Sequence, residues 1–133
     1  MEEEVYGTEL FVQEPEVRLI GAKCVECGNV MFPPLKICYQ CHSKKVEKIL
    51  LSKKGCLHSF SIVRVPPHPA FKTPYVIAWV EMPEDVLVFC QLEVDEKDYE
   101  KLRIGMEVET TRGVVGYDEN KKIISYKFKP IFR

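Results

Sequence analysis

A chain of 133 residues, 46% hydrophobic and 29% charged, can bury one good core but not two large ones. Nineteen Lys and Arg face twenty Asp and Glu, and the formal charge of −1 excludes the strongly basic balance of a polyanion binder. No apolar stretch approaches the roughly 20 residues of a membrane-spanning helix and the start Met1-Glu2-Glu3-Glu4 is acidic, so no membrane anchor or secretory signal is read and a cytoplasmic location is expected.

Residues 1–18 form an N-terminal segment with few regular apolar repeats. Leu10, Phe11 and Val12 followed by Val17, Leu19 and Ile20 suggest a short helix running into a strand. A metal module is expected over residues 19–52. Cys24-Val25-Glu26-Cys27 and Cys38-Tyr39-Gln40-Cys41 are two C-x-x-C pairs with ten residues between them. Each pair sets two thiolates on one tight turn, and the return lets the second turn face the first, as a tetrahedral zinc ribbon requires. Gly28 stands where the chain must turn to positive φ beneath the metal, and Phe32-Pro33-Pro34 stiffens the return. A disulfide reading needs an oxidising compartment that nothing here suggests. Cys38-Tyr39-Gln40-Cys41-His42 matches a haem-attachment motif, but haem would leave Cys24 and Cys27 without a role. Iron in a rubredoxin-like site uses the same ligands, and His42 stands where such a knuckle usually repeats Gly. Zinc, in a structural role, is the metal expected. Four thiolates around one Zn²⁺ take the net charge to about −3.

From residue 53 to 133 the pattern turns to strands. Cys56 to Val65, Tyr75 to Met82 and Val86 to Val94 are rich in β-branched and aromatic residues, and Pro83-Glu84-Asp85 joins the last two as a hairpin. Cys56 and Cys90, single cysteines in apolar runs, read as packed core thiols; Tyr75, Trp79 and Phe89 read as core, and His58 as a satisfied barrel residue. Asp95 to Arg103 reads as a short helix capped by Asp95, with Gly105 just past its end. Met106, Val108 and Thr110, then Ile124, Tyr126 and Phe128, alternate with polar residues as two half-buried strands around a turn at Gly116 to Asn120. Three strands, a helix and two strands is the element order of an OB-fold. The predicted fold is therefore mainly β: a rubredoxin-like zinc ribbon followed by a five-stranded OB barrel.

Between the first two barrel strands lies Pro66-Pro67-His68-Pro69-Ala70-Phe71-Lys72-Thr73-Pro74, a stiff loop where OB-folds often take ligands. Phe71 offers an aromatic face for an adenine ring and Lys72 a cation for a phosphate, with Arg64 as a further candidate contact; Arg64, Lys44 and Lys45 are cations near the metal module, where charged residues are usually solvated surface. The same loop also reads as a stiffened surface for a protein partner. Nucleic-acid binding, which ribbons and OB-folds serve elsewhere, lacks the basic groove it needs. The scattered His42, His58 and His68 and an all-cysteine metal site suggest no catalytic centre.

Leu19-Ile20-Gly21 leading to Lys23-Cys24-x-x-Cys27-Gly28, Phe32-Pro33-Pro34, Cys38-x-x-Cys41, Gly55 before Ser59-Phe60-Ser61-Ile62-Val63, Pro74-Tyr75, Ile104-Gly105-Met106-x-Val108 and Phe128-Lys129-Pro130 follow one another along the chain as an ordered set of motifs. From about residue 17 onward the chain resembles the archaeal and bacterial family of zinc-ribbon/OB-fold proteins associated with acyl-CoA enzymes. Family members commonly begin with one or two helices, for which this N-terminal segment is short. The resemblance implies a non-catalytic scaffold subunit bridging acetoacetyl-CoA thiolase and hydroxymethylglutaryl-CoA (HMG-CoA) synthase in the mevalonate pathway. Coenzyme A or an acyl-CoA is the ligand that the Phe71–Lys72 loop would suit.

Overall fold

The computed structural model describes residues 2–132, and nearly all its regular structure is β. In chain order the strands are β1 (Glu2–Val5), β2 (Phe11–Val12), β3 (Arg18–Cys24), β4 (Val30–Met31), β5 (Val46–Leu50), β6 (Lys54–Val63), β7 (Tyr75–Met82), β8 (Val86–Leu92), β9 (Glu107–Asp118) and β10 (Lys121–Pro130). A 3₁₀ helix spans Glu96–Lys101 between β8 and β9. Strands β6 to β10 close on themselves: β6 pairs with both β7 and β9, β9 with β10, and β10 meets β8 in parallel where Phe128 faces Leu92. This is the five-stranded OB barrel, with its helix between the third and fourth strands.

The period of two fills it. Val76, Ala78, Val80 and Met82 on β7 and Val88, Cys90 and Leu92 on β8 point inward, and Phe128, Val108 and Leu57 complete the centre. Burying one such aliphatic or aromatic side chain contributes roughly 1.5–3 kcal/mol, so the barrel carries its own hydrophobic driving force. Leu19 and Leu51, at the two ends of the metal module, belong to the same cluster, and the Leu51 N–H donates to the Leu19 carbonyl at 2.8 Å. Aromatic contacts add to this junction. Phe32 and Phe11 approach the Tyr126 ring edge-on, with centroids 5.6 and 6.1 Å away. The Tyr126 hydroxyl, held protonated by burial that pushes its pKa to about 12, donates to the Phe89 carbonyl at 3.0 Å.

Several expectations are corrected. The described part of residues 5–20 contains no helix: β2 and β3 pair there, Phe11 with Leu19 and Val12 with Arg18. The helix after β8 is a 3₁₀ turn and the Asp95 side chain makes no capping bond, although Gly105 does take positive φ (94°). The last hairpin is longer than predicted, because β9 runs to Asp118 and leaves only Glu119 and Asn120 for the turn.

Inside and outside are also reassigned on β6 to β8. A register shift between Leu57 and Ser59 inserts an extra residue, so Leu57 points in and Phe60 and Ile62 pack inward beyond the shift, while Cys56 and His58 are exposed. His58 meets the Glu81 carboxylate at 3.8 Å on the outer surface instead of the barrel interior. Trp79 and Phe89 are not core. They face each other across β7 and β8 on the outer side, 44% and 47% exposed. The uninterrupted apolar run Tyr75 to Val80 hides that alternation from the sequence.

Cys90 is buried as expected, and burial pushes its thiol to about 12. Treating the zinc-loaded protein with N-ethylmaleimide should therefore modify Cys56 within minutes and Cys90 only after denaturation. Peptide mass spectrometry that found Cys90 labelled first would contradict this core.

Candidate metal centre and ligand-facing loop

The two cysteine turns are built alike. In the first, the Gly28 N–H donates to the Cys24 carbonyl (2.9 Å) and the Cys24 N–H to the Asn29 carbonyl (2.9 Å). In the second, His42 donates to the Cys38 carbonyl (2.8 Å) and Cys38 to the Ser43 carbonyl (2.9 Å). Both turns need positive φ after their second cysteine, met by Gly28 at 80° and by His42 at 63°. His42 thus adopts the glycine conformation without being glycine.

This repetition brings all four sulfurs within 4.8 Å of one another. Cys24 lies 3.5 Å from Cys41 and Cys27 lies 3.6 Å from Cys38. A tetrahedron with zinc–sulfur bonds of about 2.3 Å has edges of about 3.8 Å, so the set fits zinc, and it is far too open for a disulfide of about 2.05 Å. The backbone N–H of Cys27 draws the Cys24 thiol below its ordinary range, and those of Cys41 and then Gln40 draw Cys38 to about 6. Cys27 and Cys41 shift upward. The N–H groups of Asn29 and Ser43 favour their thiolates, but neighbouring sulfurs and desolvation outweigh this, and Cys41 reaches about 12. Each close sulfur pair therefore joins one acidified and one resistant thiol, and a bound metal would displace the shared protons.

The Pro66–Pro74 loop closes over one end of the barrel. Its Ala70 carbonyl accepts from the Tyr117 N–H at 2.7 Å, and the approach is close because residue 116 is glycine; a Cβ there would sit 3.3 Å from that oxygen. Lys72 Nζ lies 4.1 Å from the Tyr117 ring centroid, a cation–π contact, and Phe71 lies 5.7 Å from Tyr75. Two grooves flank the loop, and Phe71, Lys72, Gly116 and Tyr117 line both. One, of about 710 Å³, is mostly apolar; the other, of about 200 Å³, is lined by Tyr75, Gln91, Tyr99 and Lys127. Lys127 is only 7% exposed and is held by the Val114 carbonyl (3.1 Å) and Glu93 (3.3 Å).

Phe71 and Lys72 are thus brought together at a concave surface. Arg64 is exposed and lines neither groove, and Lys45 pairs with Glu26 at 3.7 Å on the ribbon. Tyr117, Gln91 and Lys127 were missed by the sequence reading. Tyr117 looked like a turn residue, and only the β9–β10 register brings it beneath the loop.

Two family models match the chain. The family described as the rubredoxin-like zinc ribbon domain of ChsH2 matches residues 13–47, and the C-terminal OB-fold domain of ChsH2 matches residues 49–112. A DUF35 domain-containing scaffold protein of Methanothermobacter thermautotrophicus is 41% identical over 117 residues, covering 84% of this chain and 86% of that one. The chain belongs to the ChsH2/DUF35 family. The benzoylsuccinyl-CoA thiolase subunit BbsA of Geobacter metallireducens is 39% identical over 114 residues, covering 85% of this chain and 75% of its own. Among solved structures, the Ltp2-ChsH2(DUF35) aldolase superposes with a TM-score of 0.68 at 28% identity, covering 85% of this chain and 84% of that chain. The zinc-ribbon match and the four-sulfur geometry of this DUF35 protein together support structural zinc.

Two outcomes test the metal centre. Elemental analysis should return one zinc per chain, and Cys38→Ser should abolish it and remove hydrogen-exchange protection from about residue 22 to 48 while Leu57 and Val80 stay protected, since the barrel has its own core. Global loss of protection would contradict a separately metal-held ribbon. His42→Gly should relieve about 1 kcal/mol of left-handed backbone strain and raise the thermal midpoint of the zinc form by a few degrees. An unchanged or lower midpoint would count against that strain.

Proposed function

We propose that this DUF35 protein is a non-catalytic scaffold subunit of a cytoplasmic acyl-CoA enzyme complex, bridging acetoacetyl-CoA thiolase and HMG-CoA synthase on the mevalonate route. The observation that carries the reading is the Phe71–Lys72 loop set over paired grooves in a chain similar to a named thiolase subunit. The larger groove falls in the size range of small-molecule sites. Its neighbours supply what a nucleotide thioester asks for: Phe71 and Tyr117 as flat faces, Lys72 as a phosphate partner and an apolar floor at Val115 and Ile123.

A metal held by Cys24, Cys27, Cys38 and Cys41 would be structural, because four sulfur ligands would leave no open coordination position for a substrate. A bridging subunit acts through effective concentration. Thiolase condensation is uphill, and holding the next enzyme beside the first draws acetoacetyl-CoA forward before it escapes.

The isolated protein should show no thiolase or synthase turnover, should bind single-stranded oligonucleotide only weakly at physiological salt, and should form a stable complex with its cognate thiolase and synthase on a sizing column. Phe71→Ala with Lys72→Ala should weaken CoA capture or assembly at least tenfold by calorimetry, with little change in melting temperature. Tight, salt-sensitive oligonucleotide binding together with no affinity for either enzyme would overturn the proposal in favour of a nucleic-acid role.

A further inference from the structure

Strands β6 to β8 carry an uncharged apolar stripe on the outside of the barrel. Tyr75, Ile77 and Trp79 alternate with the buried Val76, Ala78 and Val80, so all three face outward. Across β8, Gln91 stands opposite Ile77 and Phe89 opposite Trp79, and the Trp79 and Phe89 rings are 5.2 Å apart. Leu87, next along the outer face, is 42% exposed. On the other flank Ser61 and Ser59 pair with Ile77 and Trp79. At the lower end charge begins at Glu81, which stands opposite Leu87 and beside His58, and at the upper end it begins at Lys72, Glu93 and Lys127 of the smaller groove. At its upper end the stripe runs into the candidate ligand site, because Tyr75 touches Phe71 and both Tyr75 and Gln91 line the smaller groove.

We infer that this stripe is the docking surface for the catalytic thiolase-type subunit, with Trp79 and Phe89 as its anchors. The inference rests on the accessory-subunit reading above and names the surface that reading requires. An uncharged centre with clustered aromatics and a hydroxyl and amide flank is the anatomy of a protein interface core. The extent of the stripe separates the candidate occupants. With about 200 Å² for a full aromatic side chain, the exposed parts of the three most exposed apolar members, Trp79, Phe89 and Leu87, amount to on the order of 250 Å², and the half-buried Tyr75 and Ile77 add less. Two copies joined stripe to stripe would bury on the order of 500 Å², well below the roughly 1,200 Å² of a stable interface. The occupant is therefore a larger protein whose contact continues from the stripe towards the Phe71 loop. Seated there, it covers the smaller groove, so a ligand held at Phe71 and Lys72 lies at the joint between the two subunits.

Trp79 is the chain's single tryptophan, so protein labelled with 5-fluorotryptophan gives one fluorine resonance from the centre of the stripe. Adding the unlabelled thiolase subunit of the same genome should shift or broaden that resonance at stoichiometric ratios. Trp79→Ala with Phe89→Ala should weaken the complex by about 100-fold or more in calorimetry, whereas Val25→Ser with Tyr39→Ser at the exposed ribbon tip should change it less than threefold. Should the double alanine variant melt early, Phe89→Gln alone, followed by the same fluorine signal, takes its place. A complex that forms with the resonance unmoved, or with affinity unaltered by these stripe substitutions, overturns the docking surface and leaves the accessory role standing. A resonance that moves with the protein's own concentration assigns the stripe to a second copy and also overturns it. If the unsubstituted protein forms no complex with the thiolase subunit, the accessory role itself falls and the inference with it.

Discussion

The pairing of Leu19 with Leu51 is the constraint on which the two halves of the molecule depend. A metal ribbon of this size buries little on its own: Ala22, Cys24, Met31 and Cys38 are the buried members of its cluster. Zinc closes the far end, and the near end needs a different support. Leu19 and Leu51, both fully buried, enter the barrel's core from the outgoing and returning strands, and the Arg18 side chain donates to the Leu51 carbonyl at 2.9 Å. The antiparallel register from Ile20–Leu50 to Cys24–Val46 follows from that root and carries the knuckles outward on a fixed ladder. The cysteine cluster is thus held at a set direction from the barrel.

Rigidity at the opposite end is achieved by other means. The Pro66–Pro74 loop carries no cysteine, yet it is tied by the bond from Tyr117 to Ala70, by Lys72 over the Tyr117 ring, by the Phe71–Tyr75 contact and by the Phe71 N–H to the His68 carbonyl (3.1 Å). Prolines restrict the free loop, so less conformational entropy is lost when a partner or ligand orders it further. The cation–π contact has a second consequence. Lys72 is exposed and, among the described residues, its ammonium rests on that ring, so an incoming anion can draw it away at the cost of about 0.5–1 kcal/mol.

How much of this was legible in the sequence depended on whether the signal was local. The cysteine turns are written in adjacent residues, and so are Gly28 and the alternation of Val108 with Glu107 and Glu109; all appear in the structure as read. The OB order was legible for the same reason. What failed was information carried between strands. The bulge at His58 reverses which side of β6 faces in, and no residue near Cys56 announces it. Trp79 and Phe89 lie in runs where every neighbour is apolar, so the period of two has nothing polar against which to show itself. Tyr117 reaches the Phe71 loop only through a pairing register that a single chain segment does not encode.

The near-zero net charge also concealed an arrangement. Acid is concentrated at the start of the chain, in Glu2, Glu3, Glu4, Glu9, Glu14 and Glu16. Strand β1 lies parallel to β10, placing Glu2 beside Lys121 and Glu3 beside Lys122, and Lys121 reaches Glu4 at 3.8 Å. Exposed pairs of this kind add little stability, but like charges in the same register would repel, so the acidic strand is matched to the lysine-bearing one. With β1 in place the Lys121–Lys122 end of the last hairpin is neutralised and its backbone edge is occupied. The exposed apolar stripe on β7 and β8 lies at a different part of the barrel wall, left uncovered by this added strand. Charge pairing and edge coverage thus close one side of the barrel to partners and leave the aromatic side open.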